Sequence, residues 1–229
     1  MKFKFVIATG KPNGTRLPIH DFLDNVKHDG IEVELDIHYN NRSGLPKIYN
    51  KAIDNSTDFD FIAFIHDDVL INDHQFFSKV INSKFDVIGN VGGLQYIPPE
   101  DWRTRPFLWT EACRGKASGF VLHKHPNHDD VFIPSSFGLS PLPCVWLDGQ
   151  MLILNKKAIL SGLRFCEDYT FDFYDGSLCF MARQIGLKVG TAPILATHES
   201  CGQGMMAHKE EYMDSQRRFI EKWFCGKIN

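Results

Sequence analysis

The run FIAFIHDDVLI, residues 61–71, decides how the chain is read. Apolar β-formers lead straight into His66, Asp67 and Asp68, and apolar residues resume with Val69, Leu70 and Ile71. Taking an imidazole and two carboxylates out of water is costly unless something pairs with them, and a divalent cation is one of few partners strong enough. The alternative is a strand that ends at the surface, where the same groups simply meet solvent.

Around this run, apolar strands alternate with helical patterns, the signature of βαβ units and parallel pairing. Residues 3–9 read as a strand, 17–28 as a helix and 31–39 as a second strand. In residues 45–56, Leu45, Ile48, Tyr49, Ala52 and Ile53 recur at helical spacing, and Pro46 falls in the first turn, where its missing N–H costs nothing. Residues 59–65 form the third strand, 74–83 a helix and 85–93 a fourth strand ending in glycines. Ligands of open parallel sheets bind beyond the carboxyl ends of the strands, where His66, Asp67 and Asp68 stand.

Residues 94–143 break the alternation with Pro, Trp, Arg and His, and a hairpin is expected around GFVLHKH and DVFIPSS. A long excursion of this kind inside a domain is usually functional. Its basic residues and Trp102 and Trp109 read either as a clamp for phosphate and sugar or as a solvated face. The histidines of HKHPNHDD, residues 123–130, match no zinc spacing. Residues 143–160 read as a strand interrupted by Asp148 and Gly149 and then a short helix. Residues 173–186 read as a helix, 187–198 as a strand ending in His198, and 209–224 as an amphipathic helix.

A chain of 229 residues can bury about 70% of its unfolded surface and needs no covalent staples. The 43% hydrophobic content exceeds what a disordered chain carries, and a net charge of −3 argues against general nucleic-acid binding. Six cysteines without C-x-x-C spacing read as free thiols in a reducing compartment, and no run reaches the length of a membrane span. The expectation is a cytoplasmic protein.

The order of these pieces resembles the GT-A glycosyltransferases of family 2, in a subgroup with an HxD-type metal motif. The resemblance rests on GLPKIYNKAI, FIHDDV, VWLDGQMLI, FDFYDGSLCFMARQIGLKV and THESCG, which span most of the chain outside the excursion and the tail. It implies one α/β domain over residues 1–229, a Rossmann-like α/β/α sandwich with a mostly parallel central sheet. Residues 1–93 form its nucleotide-binding half, 94–143 the excursion, and 144–229 the acceptor and catalytic half with the C-terminal helix. The implied activity moves a sugar from a nucleotide-diphosphate sugar to a carbohydrate or other hydroxyl acceptor, with inversion.

The resemblance also assigns roles. Asp68 is the metal ligand for Mn²⁺ or Mg²⁺, and His198 a further metal or phosphate contact, unless it is an ordinary loop histidine. His66 stands where a carboxylate usually contacts the ribose, and an imidazole there either hydrogen-bonds the donor or caps the structure. Asp67 supports the donor side. Asp175, in the place of the family's ED segment, is the general base, or otherwise a plain helix N-cap; Tyr174 and Ser177 depart from the pattern beside it. Asp148 lies near donor sugar and acceptor, with Gly149 on the sugar side and Trp146 either a stacking platform or a buried core residue. Asp36, ending the second strand, and Thr9, following the first, contact the nucleotide. Two rivals stand beside this reading: a non-catalytic sugar- or nucleotide-binding protein on the same fold, and a metal-dependent phosphohydrolase of the His-Asp type, whose best-known form is all-helical.

Overall fold

Continuous apolar runs build a sheet whose inner strands are buried on both faces. In chain order the first elements are β1 (Lys2–Ala8), α1 (Pro18–Asn25), β2 (Glu32–His38), α2 (Leu45–Asp54), β3 (Phe61–Ile65), β4 (Val69–Ile71), α3 (Phe76–Ile81), β5 (Val87–Gly89) and β6 (Val91–Gly93). The excursion holds α4 (Trp109–Ala112), β7 (Ala117–His125) and β8 (His128–Gly138). After it come β9 (Trp146–Leu147), β10 (Met151–Asn155), α5 (Lys156–Leu160), α6 (Tyr174–Gln184), β11 (Val189–Thr191), β12 (Ala196–His198) and α7 (Lys209–Ile220), which runs into a π-helical turn, Glu221–Cys225. The computed structural model describes residues 1–27, 30–125, 127–199 and 208–225.

The central sheet has the order β11-β5-β10-β3-β1-β2. Its β1–β2, β1–β3 and β11–β5 pairs are parallel, while β10 runs antiparallel to both β3 and β5. Side chains alternate across it. Ile62, Phe64, Leu152 and Leu154 point into one core with Tyr49, and Phe61, Ala63, Ile65, Met151 and Ile153 into the other with Phe3, Phe5 and Phe76. Burial on both faces is what makes these strands read as continuous apolar runs.

Beside the mostly parallel central sheet the chain forms a second sheet, β4-β12-β7-β6-β9, with β8 paired to β7. Three segments that read as single strands are each two. The 85–93 segment leaves the central sheet after Gly89 and enters the second at Val91, and the 187–198 segment crosses between Thr191 and Ala196. The 143–155 segment crosses the other way, through Asp148–Gln150. The same happens at the opening stretch: β3 ends at Ile65, β4 begins at Val69, and His66, Asp67 and Asp68 are the crossover. Apolar character resumes at Val69 because the chain re-enters a buried strand, not because it meets the surface. Periodicity reports burial, and the strands on either side of the step are alike buried, so the apolar pattern does not show the change of sheet.

Close backbone approach makes that step possible. Gly119 has φ +105°, and a Cβ there would lie 2.0 Å from the Asn90 carbonyl oxygen. Gly119→Ala therefore combines strain with a backbone clash, and an expected cost of about 2 kcal/mol or more is read as a lower urea midpoint.

The hairpin of the excursion forms as expected, with β7 and β8 antiparallel. The segment before it is pinned by α7. Gln216, fully buried, donates from Nε2 to the carbonyls of Trp102 (2.7 Å) and Arg105 (3.0 Å) and accepts from Phe107 N (3.1 Å). Tyr212 Oη donates to Phe107 O at 2.6 Å. Trp102 is buried under the Arg103 guanidinium, which lies 4.2 Å from its ring, and Arg105 is held by Asp101 and Glu111. Neither arginine is a free phosphate clamp.

Cys113, Cys144, Cys166, Cys179 and Cys225 are free thiols, and Cys201 lies outside the described residues. Among the described residues no helix is long and apolar enough to cross a membrane.

Candidate active site

The crossovers between the sheets converge, and the polar residues they carry meet there. His198 ends β12 in register with Val69, the residue after the His66–Asp68 turn. Its Nε2 lies 3.3 Å from Asp68 Oδ1, and His66, Asp68 and His198 each bring a ligand atom within 4.8 Å of the others. The turn is held by His66 N donating to Gln150 O (3.1 Å) and Glu199 N donating to Asp68 O (3.0 Å). Burial opposes the charge on Asp68, yet the hydrogen bond and charge of His198 hold its carboxyl below the ordinary value. Burial likewise works against a charged His198, but Asp68 outweighs it and raises that imidazole. For His66 burial prevails, helped by His198, and its pKa is lowered.

Opposite this group sits Asp175, at the first turn of α6. Phe173, just before the helix, has φ +64°, an uncommon conformation for an aromatic residue and a sign of local strain. Asp175 Oδ2 accepts from Gly149 N (3.0 Å) and Trp146 Nε1 (3.3 Å), and Oδ1 from Gly176 N (2.7 Å). Burial first, and the facing Asp148 carboxylate second, push Asp175 up to about 7. Desolvation and like charge outweigh the three hydrogen-bond donors, which by themselves favour the charged form. Asp148 is itself fixed by Trp109 Nε1 (2.8 Å) and Gln150 N (3.1 Å).

Both groups line one cavity of about 300 Å³, together with Asp67, Asp148, Gly149, Trp146, Leu108, Trp109, Phe171, Asp172, Tyr174 and Tyr212. Thr9 stands in an adjoining hollow with Gly10, Asn41 and Arg42, and Asp67, Ala8, Leu45 and Phe171 line both spaces. Thr9 Oγ1 donates to Asp67 Oδ2, which also faces Lys11 Nζ at 3.7 Å. Asp36 lines neither space. It lies two residues inside β2 and pairs with His38 (3.2 Å), so it does not end the strand as expected.

Trp146 is 3% exposed, and its ring stacks on Tyr96 with centroids 4.8 Å apart at 8°. It is a core residue that reaches the site through its indole N–H, not a platform offered to a sugar. A Cβ on Gly176 would lie 2.1 Å from that indole, which is why glycine follows Asp175 in the first turn.

Several lining residues carried no sequence signal. Phe171, half exposed, stacks its ring on His66 at 5.7 Å. Leu108 and Tyr212 arrive from the excursion and the C-terminal helix, too far away in sequence for any local pattern to join them. Asp172 could have been picked out from FDFYD, where a second acid precedes Asp175; burial raises its pKa as well.

A model of a glycosyltransferase-like family matches residues 26–223. No curated protein matches the chain. Among solved structures, a mannosyltransferase from Pyrobaculum calidifontis in complex with GDP-Man and Mn²⁺ is similar at TM-score 0.48 and 13% identity, covering 94% of this chain and 64% of the other. A Drosophila β-1,4-galactosyltransferase 7 in complex with manganese, UDP-Gal and xylobiose gives TM-score 0.46 and 12% identity, covering 83% and 64%. The chain thus spans under two thirds of each of these two structures. The inositol-1-phosphate CTP transferase from T. maritima gives TM-score 0.44 and 12% identity, covering 95% and 96%. At these identities and scores the likeness is one of general fold alone.

Proposed function

Because the chain belongs to the glycosyltransferase-like family, we propose that it transfers a sugar from a nucleotide-diphosphate sugar to a hydroxyl acceptor, inverting the anomeric carbon. One observation carries this reading. A carboxyl poised near neutrality, Asp175, faces a His66–Asp68–His198 group across a single cavity. The pair stands at a strand-to-strand crossover of an α/β fold, which disfavours the helical phosphohydrolase.

The three-residue group fits a divalent cation by the chemistry of its donors. A carboxylate and two imidazoles within 4.8 Å of one another suit Mn²⁺ better than Mg²⁺, which prefers oxygen ligands and retained water. Bound there, the cation would neutralise charge on the departing diphosphate. Asp68 and His198 would hold it, with His66 as the third ligand in place of a ribose contact. Thr9 and Asp67 line the donor side, beside Lys11.

Asp175 takes the proton of the acceptor hydroxyl as that oxygen bonds to the anomeric carbon and the bond to the diphosphate breaks. A base is most effective when its pKa lies near the working pH, and burial places Asp175 there. Asp148 sustains the shift through its charge, while Gly149 N–H and Trp146 Nε1–H orient the carboxylate.

The acceptor side of the cavity carries Asp148, Asp172 and Asp175 beside Leu108, Trp109, Phe171 and Tyr212, and no lysine or arginine lines it among the described residues. Like charges repel an anion here, and aromatic surface suits the apolar face of a sugar. The acceptor is therefore an uncharged carbohydrate or a similar neutral alcohol.

The test is a screen of nucleotide sugars by thermal shift with and without Mn²⁺, since a ligand that binds only the folded state raises its Tm. Nucleoside diphosphate release is then measured with neutral and with phosphorylated or uronic acceptors. Stabilisation by one donor in the presence of metal, with release on neutral acceptors, is expected; no stabilisation by any donor overturns the reading.

The pH profile follows from the same carboxylate. Only the deprotonated form accepts a proton, and its pKa is raised to about 7, so kcat/KM is constant above that pH. It falls about tenfold per unit below it. A limb near 4, the ordinary carboxyl range, would exclude Asp175 as the base.

A further inference from the structure

Tyr174 has no part in the chemistry above, yet its hydroxyl lies between the two halves of the site. It donates to Gly149 O at 2.9 Å and stands 2.9 Å from His66 Nε2. A phenol has one proton to give, and a carbonyl can only accept. With that proton on Gly149 O, the contact with His66 is a hydrogen bond only if Nε2–H is the donor. The opposite assignment would aim the phenol at His66 and leave a buried carbonyl facing lone pairs, which folded proteins avoid.

We propose that Tyr174, held by the Gly149 carbonyl, is a positioning residue that fixes His66 as the Nε2–H tautomer and leaves Nδ1 as its metal-binding lone pair. A histidine that ligates a metal through one nitrogen is commonly oriented by a hydrogen bond from the other. The orienting group here is a phenol, and its own orientation is set by the main chain. Gly149 is glycine for this reason: a Cβ at that position would lie 2.5 Å from Tyr174 Oη and would push the phenol away. The same residue donates its N–H to Asp175, so one glycine orders the base through its amide and His66 through its carbonyl. Tyr174 itself cannot drift, being buried against Tyr49 and Phe165 with ring centroids 6.0 and 5.8 Å away.

The role of Nδ1 rests on the metal reading given under the proposed function, but the tautomer can be read without metal. Long-range ¹H–¹⁵N spectra of the metal-free protein, with the His66 ring assigned by its loss in His66→Gln, should show the Nε2–H form almost alone. In Tyr174→Phe, which keeps the packed ring, the ring nitrogens should report a mixture of both tautomers. Titration calorimetry should then give Mn²⁺ affinity about 10- to 100-fold weaker, the usual worth of such an outer partner. Gly149→Ala should reproduce both changes by displacing the phenol, and backbone amide spectra of Tyr174→Phe unchanged outside the site would exclude misfolding as the cause. An Nδ1–H form in the wild type, an unchanged tautomer in Tyr174→Phe, or a changed tautomer with unchanged Mn²⁺ affinity overturns the proposal. A wild type that binds no Mn²⁺ sinks the metal reading instead, while its metal-free spectra still decide whether Tyr174 sets the tautomer.

Discussion

Replacing Asp175 by Asn lowers turnover by roughly 10²- to 10⁴-fold, the usual worth of a general base, and leaves donor affinity nearly intact. The amide keeps the shape of the carboxyl, and its oxygen can still accept from Gly149 N and Trp146 Nε1, with only the bond from Gly176 N lost to the amide NH₂. What it cannot do is take a proton. The loss should fall on kcat, because donor contacts lie across the cavity at the His66–Asp68 turn. Stability should move the other way. The Asp175 pKa is raised in the folded protein, so the native state takes up a proton between about 7 and the ordinary carboxyl range and gains stability as pH falls through that window. Above pH 7 the wild type bears a buried charge that Asn lacks, and the variant should melt no lower than wild type at pH 8. Proton NMR of the product from wild-type enzyme should give the anomeric configuration opposite to the donor's. A retained configuration, or normal turnover by the variant, would move the base to Asp148.

Asp68→Asn should abolish metal-dependent binding of the nucleoside diphosphate. Asp68 is the only carboxylate of the three-residue group, and it sits 3.3 Å from His198. Without its charge, the two imidazoles lose their anionic partner and the cation its strongest oxygen ligand. A direct ligand should cost more than the roughly 10- to 100-fold that outer partners cost. Calorimetry with UDP or GDP and Mn²⁺ measures the loss. Without Asp68 the His198 pKa also falls, since its rise depends on that carboxylate. Full metal-dependent binding by Asp68→Asn would place the ligand set elsewhere.

Much of this arrangement could be read before folding. The apolar runs at 3–9, 31–39 and 59–65 and the helical spacing of Leu45, Ile48, Tyr49, Ala52 and Ile53 mark β1, β2, β3 and α2, because burial on both faces gives a continuous apolar run and burial on one helical face a period near 3.6, and both are written in residue order. HDD inside an apolar run marks the site for the same reason, since charge is rarely placed between two buried strands without a partner. What stayed hidden follows from one fact: a residue's neighbours in space are not its neighbours in sequence. Three apolar segments each pass from one sheet to the other, and their periodicity is the same on both sides of the step. The sequence by itself therefore determined the α/β class, the order of elements and the candidates Asp68, Asp175 and His198. Only the tertiary structure decided that His66 joins Asp68 and His198, that Trp146 turns its ring to Tyr96, and that Asp36 stays outside the site. It also decided the surroundings of Asp175. A carboxyl at a helix start reads as charged, and its rise to about 7 comes from burial and from Asp148, which lies 27 residues earlier in the chain and faces it only because two sheets meet.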